Sequence, residues 1–310
     1  MRGRPVVVQT RLLESPKAQA RLSESADIVL VDGLESLRAA LPGADALVAI
    51  PPLKVEKATL ELAVRLKVVA TVASGSDHLA VSYLEERGIP VFTGLGKAPD
   101  AVSEYVHWAA VAVHRGFFRQ ALALHQGDLD WSARFRTPRS TELRGTTFGV
   151  VGLGHVGRSV ATRMASLPGV RVIAHDPFVR PVDSGGIELV GLEELFQEST
   201  TVSLNVPLMD STRGLVDARL LGALGPDGVL VNAARAGIVA EHHLLEALRS
   251  GDIKGAAIDV FDVEPASRDV VEGLASTGRI VLTPHLAGVS EQALEALCNF
   301  AVDSVLKEVC

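Results

Sequence analysis

Three ionisable residues in the second half of this 310-residue chain each stand just beyond a short apolar run. Arg235 follows Val229-Leu230-Val231-Asn232-Ala233-Ala234. Glu264 follows Ala256-Ala257-Ile258-Asp259-Val260-Phe261 within a short loop, and His285 follows Ile280-Val281-Leu282-Thr283-Pro284. Such runs read as parallel strands, and an open parallel sheet binds its ligands beyond the carboxyl ends of the strands. The three side chains are therefore expected to converge. A guanidinium offers forked donors that fit a carboxylate and an adjacent carbonyl oxygen, which lysine cannot copy. Histidine is the usual proton donor near neutral pH. A carboxylate beside it stabilises the protonated ring and fixes its orientation. The set suits the reduction of a ketone beside a carboxylate, where hydride addition makes an alkoxide that must be protonated. Taken singly, Arg235 reads as a surface cation, Glu264 as a solvated loop acid and His285 as a cap. The combination, together with the glycine-rich segment that precedes it, favours the chemical reading.

That segment is Gly152-Leu153-Gly154-His155-Val156-Gly157, a G-x-G-x-x-G hexamer. Alone it is weak evidence, but an apolar strand runs into it and a helix, Arg158–Ser166, runs out. Gly152 permits the tight turn, Gly154 lets backbone approach a pyrophosphate, and Gly157 lets helix pack on strand. The helix N-terminus offers unpaired N–H groups and a positive dipole end to phosphates, beside His155 and Val156 of the hexamer. The next strand, Val172–His175, ends in Asp176, placed to accept hydrogen bonds from ribose hydroxyls and to repel a 2′-phosphate. This favours NAD over NADP, with Arg180 nearby as the residue that argues the other way. The bland alternative is a structural turn with a surface aspartate.

The elements that must position these groups follow a repeating pattern. Short β-branched runs alternate with helical stretches, which predicts βαβ units and an α/β fold of parallel sheets. In the first part, strands are expected near Val6–Gln9, Ile28–Val31, Ala46–Ile50, Val68–Val72 and Val91–Thr93, with helices such as Leu34–Ala40 and Ala58–Arg65 between them. Ser103–His125 reads as one long buried helix linking two domains, and Gly127–Arg144 as an irregular basic boundary containing Trp131, Arg134, Arg136, Pro138 and Arg139. A second series places strands at Phe148–Gly152, Val172–His175, Val202–Val206, Val229–Ala233, Ala256–Val260 and Ile280–Thr283. A last helix is expected over Ser290–Val309.

Composition narrows the remaining classes. Hydrophobic residues make up 47% and aromatics 4%, so the cores must be built from Ala, Val, Leu and Ile, which suits sheets covered by helices on both faces. The net charge of −7, without a long basic run, argues against nucleic acid as a partner. No apolar run is long enough for a signal peptide or a membrane span, so a cytoplasmic setting without membrane attachment is expected. Two cysteines, Cys298 and Cys310, make neither a disulfide framework nor a metal site. His242-His243 lacks the i, i+4 spacing of zinc helices, and Ser76-Asp77-His78 cannot form a catalytic triad from adjacent positions. His107 and His114, seven apart, fit a packing or dimer role.

With these segments in view, the chain resembles the D-isomer-specific 2-hydroxyacid dehydrogenases. The resemblance rests on Val150–Gly157, Val202–Leu208, Ser211–Leu215, Val231–Val239, Ala257–Pro265 and Leu282–Ser290, with weaker matches at Ala73–Leu79 and Ala101–Tyr105. It implies two doubly wound parallel-sheet domains, with a Rossmann-type NAD-binding domain (100–286) inserted into a flavodoxin-like substrate domain (1–99 plus 287–310). It implies that Arg235 binds a small 2-keto or 2-hydroxy acid and that Glu264 pairs with the acid/base His285. Asp259 would hold the nicotinamide carboxamide, Asn205 and Pro207 would lie near the cofactor, and the chain would form a homodimer through the cofactor domain. The backbone of Ser74, Gly75 and Ser76 would meet the substrate carboxylate. Lys97, which the resemblance puts at the domain cleft, reads first as a solvated loop lysine and second as a point charge for a further anionic group on the substrate. Against this pattern, Asn205 and Met209 stand where many members have His and Thr. Ala236-Gly237 replaces the usual two glycines, and Asp262-Val263-Glu264-Pro265 replaces Glu-Pro-Glu-Pro while keeping the catalytic acid. The chain ends inside its last helix, so no regulatory tail is expected. Two alternatives stay open: an NAD-sensing corepressor-like binding protein, and a phosphite- or phosphonate-type dehydrogenase with a similar Arg–Glu–His set. Glu264 argues against formate dehydrogenases, which pair the histidine with glutamine.

Overall fold

Unbroken runs of Val, Ile, Leu and Ala set the strands, because such side chains fit a pleated surface buried on both sides. The computed structural model describes residues 3–128, 131 and 140–310. It divides into two compact units, residues 1–98 with 289–310, and residues 99–288.

The first unit holds five strands, β1 (Val6–Gln9), β2 (Asp27–Leu30), β3 (Ala46–Ala49), β4 (Val68–Thr71) and β5 (Val91–Phe92), in the order β2-β1-β3-β4-β5. All the pairings are parallel. This is the flavodoxin-like strand order. Successive residues point to opposite faces of the sheet. Val7, Ala46, Val48, Val68 and Ala70 pack under Leu22 and under Ala301, Val302 and Val305 of the helix Glu291–Val309. Val8, Leu47, Ala49 and Val69 meet Leu37, Leu60 and Leu84 on the other face. Ser290 caps the last helix by accepting the Ala293 amide at 3.1 Å.

The second unit holds β6 (Thr147–Val151), β7 (Arg171–His175), β8 (Glu188–Leu189), β9 (Thr201–Leu204), β10 (Val229–Asn232), β11 (Gly255–Ile258) and β12 (Ile280–Leu282). Their order is β12-β11-β10-β9-β6-β7-β8, parallel throughout. The chain winds outward from β6 in one direction and from β9 in the other, so the switch point of this Rossmann-type sheet lies between them. One face is covered by Phe196, Leu221 and Leu248, the other by Val106, Ala110, Val160 and Met164.

Several expectations are corrected. The long stretch from Ser103 is not one helix. It forms Pro99–Arg115 and Phe117–His125, broken at Gly116, whose φ of 65° lies in the left-handed region that glycine tolerates. Only the first of the two is buried, since no residue of Phe117–His125 is enclosed. The helix expected over Ala58–Arg65 spans only Lys57–Leu60. Bonds from Leu62 to Thr59 and from Ala63 to Leu60 then tighten the chain into turns. Most strands end one or two residues earlier than their apolar runs, because the last residues turn out of the sheet. Strand β8 was not expected at all, two residues being too short to show a period. Within the irregular Gly127–Arg144 stretch, Arg134, Arg136, Pro138 and Arg139 lie outside the described residues.

Candidate active site

The glycine turn leaves β6 at the switch point, and each glycine meets a different steric demand. Gly152 has φ 88°, and a Cβ there would come within 2.6 Å of Val206 and 2.7 Å of the Asn205 carbonyl oxygen. At Gly157 a Cβ would stand 1.9 Å from the Gly152 carbonyl oxygen, so only glycine lets the helix His155–Ala165 approach β6 this closely. Gly154 has nothing within 4 Å of its Cβ position. This is open space beside a helix start, where the amides of His155, Val156 and Gly157 have no intrahelical acceptor. The cradle fits a pyrophosphate.

Asp176 follows β7 and is half-buried. Its carboxylate accepts the Leu153 amide at 2.8 Å and the Phe178 amide at 2.9 Å, so it ties the glycine turn to the end of the second strand. A carboxylate has further lone pairs, which leaves capacity for ribose hydroxyls. Arg180 is paired with Asp183 at 2.7 Å. Asn205 begins the loop after β9, where its amide donates to Val151 at 2.7 Å and its side chain to the Ser203 carbonyl at 3.1 Å. Pro207 is exposed, and its carbonyl accepts the Thr212 hydroxyl at 2.6 Å.

Arg235 stands beyond β10, half-buried, with a guanidinium nitrogen donating to the Ala234 carbonyl at 2.7 Å. A residue that the sequence did not single out sets this turn. The enclosed Asn232 donates to the Arg235 carbonyl at 2.9 Å and accepts the Ala234 amide at 3.1 Å. Its signal was a polar side chain closing an otherwise apolar strand.

His285 and Glu264 meet directly, Nδ1 to Oε2 at 2.7 Å, with side chains 50% and 37% exposed. The other carboxylate oxygen of Glu264 accepts the Phe261 amide at 3.1 Å. Because a carboxylate accepts, Nδ1 carries the shared proton and Nε2 is left for a reacting group. His285 is the one non-glycine residue with positive φ among those described, at 55°. Such a backbone costs on the order of 1–3 kcal/mol and persists only when its surroundings over-determine it. The His285 amide donates to the carbonyls of Asp259, at 2.8 Å, and Thr283, at 3.1 Å. The Asp259 side chain is fully enclosed and accepts from Thr283, Leu286 and Ala287 at 2.6, 2.8 and 2.9 Å.

The remaining predicted residues belong to the first unit. Ser74, Gly75 and Ser76 form the turn after β4, and the Ser76 carbonyl accepts the Leu79 amide at 2.8 Å. Lys97 is exposed, its Nζ 4.7 Å above the Phe300 ring, an apolar face that attracts a cation. Among the described residues, no group of three or more His, Cys, Asp or Glu is arranged to hold a metal ion. None of their helices is long and apolar enough to cross a membrane.

A dinucleotide cradle in the same sheet as a paired histidine and glutamate defines an oxidoreductase that moves hydride with one partner and a proton with the other. Residues 107–287 match the family model described as D-isomer specific 2-hydroxyacid dehydrogenase, NAD binding domain. The hydroxypyruvate reductase of Thermotoga maritima is 31% identical over 89% of this chain and 88% of its own length. The D-3-phosphoglycerate dehydrogenase of Mycobacterium tuberculosis is 33% identical over 97% of this chain, which spans only 56% of that longer enzyme. Among solved structures, an NADPH-dependent glyoxylate/hydroxypyruvate reductase from Sinorhizobium meliloti, in complex with NADP and malonate, superposes with a TM-score of 0.85. It is 29% identical, over 97% of this chain and 92% of that one. The chain belongs to the D-isomer specific 2-hydroxyacid dehydrogenase family. It is an oxidoreductase acting on a CH–OH group with a nicotinamide dinucleotide, and its substrate is a small 2-hydroxy or 2-keto acid. The comparisons bring no support for a corepressor-like or phosphite-oxidising role.

Proposed function

We propose that this enzyme interconverts a small 2-keto acid and its D-2-hydroxy acid with NAD(H), using Arg235, Glu264 and His285 as its catalytic residues. The observation that carries the assignment is the 2.7 Å contact between His285 Nδ1 and Glu264 Oε2 beyond the last two strands. The bound cofactor supplies or takes the hydride. In the reductive direction Arg235 grips the substrate carboxylate and polarises the carbonyl. His285 gives its Nε2 proton to the forming alkoxide, and Glu264 steadies the imidazolium. Gly152, Gly154, Gly157 and the first-turn amides of His155 and Val156 hold the pyrophosphate. Asp176 faces the adenosine ribose and favours NAD over NADP, while Asn205 and Pro207 flank the cofactor.

For the substrate we assign the backbone of Ser74, Gly75 and Ser76 to the carboxylate. The loop Ile50-Pro51-Pro52-Leu53 carries no donor side chain, and its prolines lack N–H groups, so 3-phosphoglycerate is not the expected substrate. A second anionic group on the substrate would be met by Lys97, at the cost of leaving the Phe300 ring. The enzyme works in the cytoplasm as a homodimer. Exposed Trp108, Phe117, Phe118, Leu122 and Leu124 of the second unit support the dimer.

The test is NADH consumption with pyruvate, glyoxylate, hydroxypyruvate, oxaloacetate, 2-ketoglutarate and phosphonopyruvate, in wild type, Lys97→Ala and Arg235→Lys. Turnover is expected in wild type. Arg235→Lys should lose kcat/KM by ~10- to 100-fold despite the retained charge, because the fork is lost. Near-native kinetics with lysine would make Arg235 structural. An unchanged ratio of singly to doubly anionic substrates in Lys97→Ala would end the second-anion assignment.

A further inference from the structure

The helix Pro99–Arg115 sends Tyr105 toward the end of β12, where its hydroxyl lies 2.7 Å from Thr283 Oγ1. Thr283 has one proton to give, and its geometry gives it to Asp259 Oδ1 at 2.6 Å. Tyr105 must therefore be the donor to Thr283. Burial and the nearby Asp259 charge push its phenol up to about 12, so it keeps that proton throughout the neutral range. At the other end of the chain of bonds, Asp259 accepts the Leu286 and Ala287 amides, the two residues that follow His285. The Asp259 carbonyl accepts the amide of His285 itself. The same enclosed aspartate thus holds the strained residue through its backbone and the next two through its side chain. No part of its surface is exposed.

We propose that Tyr105, Thr283 and Asp259 form a hydrogen-bonded relay that fixes the left-handed backbone at His285 and so holds its imidazole against Glu264. Tyr105 and Thr283 are positioning residues that touch no reacting atom, and they act on His285 through Asp259. The inference rests on reading His285 as the proton donor. Thr283 is the critical joint: a β-branched side chain without the hydroxyl would fill the same space and leave both Tyr105 and Asp259 without their partner. The consequence is a displaced imidazole, because errors of about 1 Å in a reacting group are enough to cost ~100-fold in rate.

The experiment compares Thr283→Val, Thr283→Ser and Tyr105→Phe with wild type in three measurements: kcat with a 2-keto acid, the NADH dissociation constant by fluorescence, and amide exchange at Leu286 and Ala287. In Thr283→Val and Tyr105→Phe, kcat should fall by ~10- to 100-fold while NADH binding stays within about twofold. Exchange at the two amides should quicken. Thr283→Ser, which keeps the hydroxyl, should restore all three readouts. Retained NADH binding also reports that each variant has folded. Native kcat and native exchange in Thr283→Val would overturn the relay. So would a loss of NADH affinity that matches the loss of kcat, which would show that the two hydroxyls act through the cofactor site and not through the position of His285. Should wild type turn over none of the 2-keto acids, the functional assignment fails by itself, while amide exchange still decides whether the relay exists.

Discussion

His285 gives one ring nitrogen to Glu264, which leaves Nε2 as the atom that can exchange a proton with substrate. Removing the ring should therefore abolish proton transfer and little else. His285→Ala is expected to lower kcat by roughly 10²- to 10⁴-fold, the usual worth of a positioned acid, with NADH affinity preserved in a fluorescence titration. A variant that keeps kcat would place the proton donor elsewhere. Asp176 holds the Leu153 and Phe178 amides, and its proposed second task is to meet the ribose of the cofactor. Asp176→Ala should weaken NADH and relieve repulsion of a 2′-phosphate, narrowing the ratio of kcat/KM for NADH over NADPH. Freeing Arg180 for a phosphate would break only an exposed pair with Asp183, a small cost. Equal efficiency of wild type with both cofactors would remove Asp176 from cofactor choice.

At the scale of elements, the helix Pro99–Arg115 is fastened by a histidine as well as by apolar packing. His114 is almost fully buried, with Nδ1 3.0 Å from Thr141 Oγ1 and Nε2 2.8 Å from the Thr201 hydroxyl on β9. Burial, with a smaller push from Lys254, lowers it to about 4. A histidine whose folded value is depressed resists protonation in the native state more than in the unfolded one. Its contribution is fully present above the ordinary value near 6.5 and is lost as pH falls from there toward 4. Urea midpoints should therefore drop between these limits in wild type and drop less in His114→Gln; equal slopes would refute the assignment. This helix also marks what the sequence could and could not tell. Its apolar density and its place before the glycine turn were legible, and so were all the strands but β8, since β-branched runs between turn residues have few other solutions. The bonds of His114 to Thr201 and of Tyr105 to Thr283 join residues 87 and 178 positions apart, beyond any local pattern. Arg235, Glu264 and His285 were legible because each follows the carboxyl end of an apolar run, whereas Asn232 and Thr283, which hold those loops, offered only a polar side chain at the end of such a run.

For the whole molecule, the two units differ in how the chain builds them. The first is closed by a helix from the far end of the chain, packed on a sheet made from its beginning, whereas the second is continuous over 99–288. Among the described residues, the second leaves a connected aromatic surface. Trp108 meets Phe118 edge-on with centroids 6.3 Å apart and Tyr105 at 5.6 Å, and Phe117, Leu122 and Leu124 continue the exposed set along Phe117–His125. A helix without one buried residue gains little from its own unit, and its formation needs packing from elsewhere. A second copy seated on this face would supply that packing, because a two-fold interface places the same surface on both partners. Charging the face should then separate the copies. Phe118→Glu combined with Leu122→Glu is expected to convert a dimer into a monomer in sedimentation velocity, with helical content reduced. Wild type that sediments as a monomer across micromolar concentrations would leave Phe117–His125 without the partner assigned to it.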